Sequence, residues 1–127
     1  YICECGDNSF QEGETNAKKI LKDHNNVDGI FINTDLVAIG ALTEFNRQGI
    51  KIPEQISIVG FSNWFMSSVI SPSLTTINQP GFEMGKIAFK QLFKEMKKLK
   101  KEKKITPKTI TLNAELIQRD SSKTDLD

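Results

Sequence analysis

Three polar clusters follow apolar runs in this 127-residue sequence, and their residue types are the ones equipped for chemistry: Asp7-Asn8, Asn33-Thr34-Asp35 and Ser62-Asn63. In an open parallel sheet, ligands bind in the crevice beyond the carboxyl ends of the strands, so clusters at three successive strand ends share one edge. They offer hydroxyls, amides and carboxylates, a set that suits a neutral polyhydroxylated small molecule better than a phosphate. Each has a plainer reading when taken singly, with Ser9 and Asp35 as helix caps and Asn8 as a turn residue. Asp7 and Asp35 are the one arrangement open to acid/base catalysis, and caps and turns account for both.

Other reactive groups lack partners. There is no Gly-x-Gly-x-x-Gly after a strand, no phosphate-binding Gly-x-x-x-x-Gly-Lys loop, no nucleophile elbow, and no His beside a candidate Ser or Cys. The expectation is therefore no catalysis and no cofactor. Cys3 and Cys5, two apart in an extended segment, place their Cα atoms near the ~7 Å limit for a disulfide and read as free thiols of a reducing compartment. With His24 the only histidine, no metal site is expected.

The elements that must position these clusters alternate. Tyr1–Cys5 is strand-like, and Ser9-Phe10-Gln11-Glu12 has the form of a reciprocal capping box opening a helix of about four turns that buries Phe10, Ala17, Ile20 and Leu21. Gly29 to Asn33 is a continuous apolar run, the pattern of a parallel strand covered on both faces. Asp35 then caps a helix reaching Gln48, with Gly49 as its stop. A third buried strand spans Ile56 to Phe61. Strand-helix-strand-helix-strand with short connections implies right-handed crossovers and a doubly wound parallel sheet, an α/β fold. Beyond it come an extended Leu74 to Pro80 segment, a helix over 81–100, and a strictly alternating strand from Thr109 to Ile117. A loose polar tail is expected from Ser121.

Charge is balanced overall, at +1, and uneven along the chain, with ten Lys against two Glu between residues 86 and 108. Those lysines take the polar face of the 81–100 helix with no aromatic or Arg among them, so a solvated face is expected rather than bound DNA. The apolar stripe opposite, including Phe89, Leu92, Phe93 and Met96, requires a cover: a second copy, or packing on the chain's own sheet. On the second helix, Leu36 to Leu42 is apolar or small throughout, so its far side also calls for a partner. No apolar run reaches the ~20 residues of a membrane span. A chain opening without Met and inside a strand reads as a fragment.

The residues from Asp28 to Leu42, from Gly49 to Phe61, the block Pro72-Ser-Leu-Thr-Thr-Ile-Asn-Gln-Pro80, Glu83-Met-Gly85, and the ending Glu115 to Ser121 resemble, in order, landmarks of the lactose/galactose repressor (LacI/GalR) family of bacterial transcription regulators. The resemblance implies a periplasmic-binding-protein-like I fold of which this chain holds mainly the C-terminal lobe. It divides the sequence into lobe 1–73, crossover 74–80, a helix and loop 81–107 of the other lobe, closing strand 108–120 and tail 121–127. It implies effector contacts at Asn8, Thr34, Asp35, Ser62 and Gln79, and a homodimer interface at Leu36, Ile39, Leu42, Val69 and Ile70. Two departures stand out: Ser62 replaces a common Asp, and Asn8 replaces a common aromatic. The implied protein is cytoplasmic, binds a small carbohydrate effector, and reads operator DNA through a helix-turn-helix upstream, with no membrane association. The alternatives are a transporter's sugar-binding protein of the same fold and an α/β enzyme fragment.

Overall fold

A computed structural model describes residues 1–24, 26–100, 104 and 107–124. The chain forms two compact units, Tyr1–Asn78 with Glu115–Asp127, and Gln79–Ala114. In the first, a four-stranded sheet runs in the order β1 (Gly29–Phe31), β2 (Ser57–Phe61), β3 (Thr75–Asn78), β4 (Glu115–Ile117). The first three strands are parallel and β4 pairs antiparallel with β3. Two helices, α1 (Phe10–Asp23) and α2 (Asp35–Arg47), accompany the sheet.

The core follows the apolar pattern. Ala38, Ile39, Leu42 and Phe45 of α2 pack with Ile58 and Leu74, while Phe10, Ile20 and Leu21 of α1 close over that cluster beside Ala17. Glycines allow α1 and α2 to touch backbone to backbone: a Cβ on Gly13 would collide with Val37 O, and one on Gly40 with Phe10 O. α1 thus covers part of the apolar surface of α2, while Leu36 stays exposed.

A buried carboxylate links the same helices. Glu44 is fully buried, accepts from Gln48 Nε2 at 2.8 Å and from Arg47 Nη1, and lies 4.0 Å from Lys18 Nζ; Arg47 also reaches Glu14 at 3.1 Å. The Gln48 hydrogen bond and the charges of Lys18 and Arg47 hold the Glu44 carboxyl below its ordinary 4.5 against the opposing effect of burial. A depressed folded-state value stabilises the fold above the unfolded value, and that contribution disappears as pH falls through the folded one. Melting temperature measured from about pH 6 down to about pH 3 should therefore fall further in the native protein than in Glu44→Gln; parallel curves would refute this.

Several expectations change. Tyr1–Cys5 is not a strand, so among the described residues β1 has no neighbour on its outer side; the segment instead stacks Tyr1 on His24, with ring centroids 3.7 Å apart, and holds Cys5 Sγ against Asn16 Nδ2. The capping box is not reciprocal: Ser9 Oγ accepts from Glu12 N at 3.2 Å, but Glu12 turns to Gly6 N and Asp7 takes Ser9 N. The closing strand has three residues, not nine. Asn78, the last of β3, pairs with Glu115, so earlier residues have no strand to join. Ser121 is fully buried rather than loose: its hydroxyl donates to Ile58 O at 2.6 Å and accepts from Thr75 N at 2.8 Å, and its carbonyl accepts from Ile58 N.

The second unit contains α3 (Gly81–Leu99). None of its side chains is buried. The Phe89, Leu92, Phe93 and Met96 stripe is exposed, and Lys97 Nζ lies 4.4 Å from the Phe93 ring centre.

Candidate functional site

The carboxyl end of β2 is held by a dense set of hydrogen bonds. Its turn has two consecutive non-glycine residues at positive φ, Ser62 at 125° and Asn63 at 50°. Asparagine tolerates this region, whereas Ser62 sits outside the small left-handed basin, a conformation costing on the order of 1–3 kcal/mol that persists only where the surroundings impose it. Each amide of the turn has an acceptor: Ser62 N donates to Ile77 O at 2.9 Å, Asn63 N to Thr76 Oγ1 at 3.2 Å, and Trp64 N to Asp35 Oδ2 at 2.8 Å.

Asp35 organises this edge from beneath. It is not the cap of α2; Thr34 holds that position in extended conformation without a side-chain capping bond. The Asp35 side chain is fully buried, and its oxygens accept from Trp64 N, from Ser67 Oγ at 2.6 Å and from Thr76 Oγ1 at 2.6 Å. A side chain with no accessible surface and three donors in place orients the residues around it. Gly60 makes the room, since a Cβ there would run into Asp35 Oδ1 and Leu74 Cδ2.

The remaining contact candidates divide. Thr34, half-buried, and Ser62, exposed, flank the Asp35 network and can present hydroxyls. Asn8, at φ 54°, is exposed and lines a cavity of about 750 Å³ that Asn33 also reaches, whereas Thr34 and Ser62 do not line it. That cavity lies between Tyr1–Cys5, α1 and β1, with Gly29 to Ile32 along its wall, so it is the gap left where the first strand does not pair. Gln79 belongs to the second unit, where it is half-buried and its carbonyl accepts from Gly81 N at 2.8 Å.

The interface candidates divide as well. Ile39 and Leu42 are 8% and 3% exposed and belong to the chain's own core, so they have almost no surface to give a partner. Leu36 and Val69 are exposed and Ile70 half-buried; Trp64 and Phe65, at the start of the 3-10 turn Phe65–Ser68, are also exposed, and their rings meet edge-on at 5.3 Å.

Sequence reasoning missed Arg119. Its Nη1 donates to Leu74 O and its Nη2 to Asn63 Oδ1, both at 2.7 Å, and Asn63 Nδ2 donates to Asn78 Oδ1 at 3.2 Å. The available signal was composition: the chain uses Lys almost throughout and has only two arginines, one of them two residues after the closing strand. A forked guanidinium is what two fixed acceptors require. Among the described residues no cluster of His, Cys, Asp and Glu is arranged to hold a metal ion, and no helix is long and apolar enough to cross a membrane.

A mostly parallel sheet with its polar turns on one edge is the architecture of a ligand-binding lobe. The model of the periplasmic binding protein-like domain matches residues 2–122. The chain belongs to that family. It is 38% identical over 96 residues to the HTH-type transcriptional repressor CytR of Escherichia coli K12, covering 76% of this chain and 28% of that protein. A LacI family transcriptional regulator from Enterococcus faecium solved with bound ribose is 32% identical, with a TM-score of 0.72 over 90% of this chain and 40% of the other. The transcriptional regulator CelR in complex with cellobiose gives 0.80 at 26% identity, over 92% and 35%. The chain thus spans less than a third of the length of its curated relative.

Proposed function

We propose that this chain is the effector-binding part, mainly the C-terminal lobe, of a DNA-binding transcription regulator that responds to a small polar ligand, a sugar. The observation that carries the reading is the strand-end edge organised by Asp35, which sets Thr34 and a conformationally constrained Ser62 side by side with the turn amides already paired. Such an edge holds hydroxyls ready for a polyhydroxylated ligand without charge. The ribose and cellobiose bound to the two solved relatives support that class, and the similarity to a transcriptional repressor favours regulation over transport. Asn8 and Gln79 complete the proposed contact set. Operator DNA is read by a helix-turn-helix outside this sequence, and ligand acts by favouring one of two hinge states. The reading has no catalytic step or cofactor and places the protein in the cytoplasm, away from membrane.

Titrating the complete protein with ribose and cellobiose, alongside Ser62→Ala and Gln79→Ala, tests this. Each variant should weaken binding about tenfold, the value of one hydrogen bond to a buried ligand. Unchanged affinity removes the residue from the site, and no binding of either sugar defeats the proposed ligands. The same reading makes Leu36, Val69 and Ile70 the centre of a two-fold interface. Val69→Asp, at a position 66% exposed, should give monomers by sedimentation with the fold intact; a native protein that is monomeric at micromolar concentration overturns the interface.

A further inference from the structure

The strained turn at Ser62 is held from one side by a device that touches no ligand edge itself. Arg119 follows β4, and its fork closes on two acceptors: Leu74 O, just before β3, and Asn63 Oδ1, within the turn. Its backbone is tied to the same strand, with Arg119 N donating to Thr75 Oγ1 at 2.9 Å. Asn63 in turn holds both ends of the turn's contact with β3, through its amide to Thr76 and its side chain to Asn78. We propose that Arg119 and Asn63 are a positioning pair that holds Ser62 in its strained conformation and makes the direction of its hydroxyl follow the β3–β4 strand pair. The proposal rests on reading Ser62 as a ligand contact. Its mechanical part stands on the hydrogen bonds alone.

Both strands lead directly out of the lobe. β3 ends at Asn78, one residue before the second unit begins, and β4 starts at Glu115, one residue after it ends. A change in tilt of this pair is therefore passed to Ser62 through two short, charge-assisted or amide contacts rather than through the apolar core. Lysine cannot replace arginine here, because a single ammonium on a flexible stem does not bridge two fixed acceptors with fork geometry.

Hydrogen exchange on the complete protein tests the pair. In Arg119→Lys the amides of Ser62, Asn63 and Trp64 should exchange about tenfold faster or more, while those of Leu42 and Phe45 in α2 keep their rates. Asn63→Gly removes the side chain while permitting positive φ, and should produce the same local acceleration. Arg119→Lys added to Asn63→Gly should then change little further, because the two residues act as one unit. Uniform acceleration across α2, full additivity of the two substitutions, or unchanged rates at 62–64 would each overturn the proposal. A parallel titration with ribose and cellobiose should show weaker binding in Arg119→Lys. If neither sugar binds the native protein, the ligand reading fails, and the exchange rates still decide the positioning pair.

Discussion

Asp35→Ala should unfold the ligand edge and remove on the order of 3–5 kcal/mol of stability, because it strands several buried donors at once. Trp64 N, Ser67 Oγ and Thr76 Oγ1 all point at its two oxygens. An unsatisfied buried donor costs ~1–3 kcal/mol, and a cavity left by the missing side chain adds to that. Asp35→Asn is the milder case. It keeps one acceptor for Trp64 and Ser67 and turns its amide to Thr76, whose hydroxyl can rotate to accept. Urea unfolding of the three proteins should rank them native, Asn, Ala; a loss below about 1 kcal/mol in Asp35→Ala would show that water replaces the carboxylate and that the edge is not organised by it. Gly60→Ala should reproduce part of this loss from the other side, by driving a methyl group into Asp35 Oδ1.

Gly40→Ala should be nearly as damaging for a different reason. In an exposed helix the change gains ~1 kcal/mol from the propensity of alanine. At Gly40 the added carbon meets the carbonyl, carbon and Cα of Phe10, which are backbone atoms that no rotamer can move aside. Overpacking of this kind costs on the order of 3 kcal/mol, so the collision wins. Gly85 on α3 is the opposite case, since a Cβ there meets nothing within 4 Å. Gly40→Ala should lower the melting temperature sharply while Gly85→Ala raises helix content, and an unaltered melting temperature for Gly40→Ala would mean that α1 can slide off α2 without loss.

Local patterns in the sequence carry most of the fold. The capping serine before Phe10, the glycine after α2 and the buried run into Phe61 mark elements that begin and end within a residue or two of where the physics of caps and periodicity puts them. Failures occur where a segment's state depends on a distant partner. Alternation over Thr109 to Ile117 is a real pattern, but β3 has only enough length to pair with its last three residues. Ile39 and Leu42 look as available as Leu36 on a helical wheel, and only their packing in the core with Ile58 and Leu74 decides which of them remain outside. The site was legible as a set of strand ends and illegible as a network. Asp35 looks like a cap because its donors lie 29 to 41 residues downstream, and Arg119 looks like surface charge because its acceptors lie 45 and 56 residues upstream.

The burial of Ser121 has a consequence for how the protein is made. Its hydroxyl and backbone fasten β2 to the approach of β3, at a separation of 63 residues from Ile58, and Arg119 two residues earlier closes the Ser62 turn. Domains fold as units while the ribosome is still adding residues, generally from the N-terminal side. Here α1, α2 and their shared core can form before residues 115–121 are translated, but the strand-end edge waits for them. A nascent chain stalled or cut before Arg119 therefore carries a helical core with an unfinished strand-end edge, a species that proteases can recognise by its open strands.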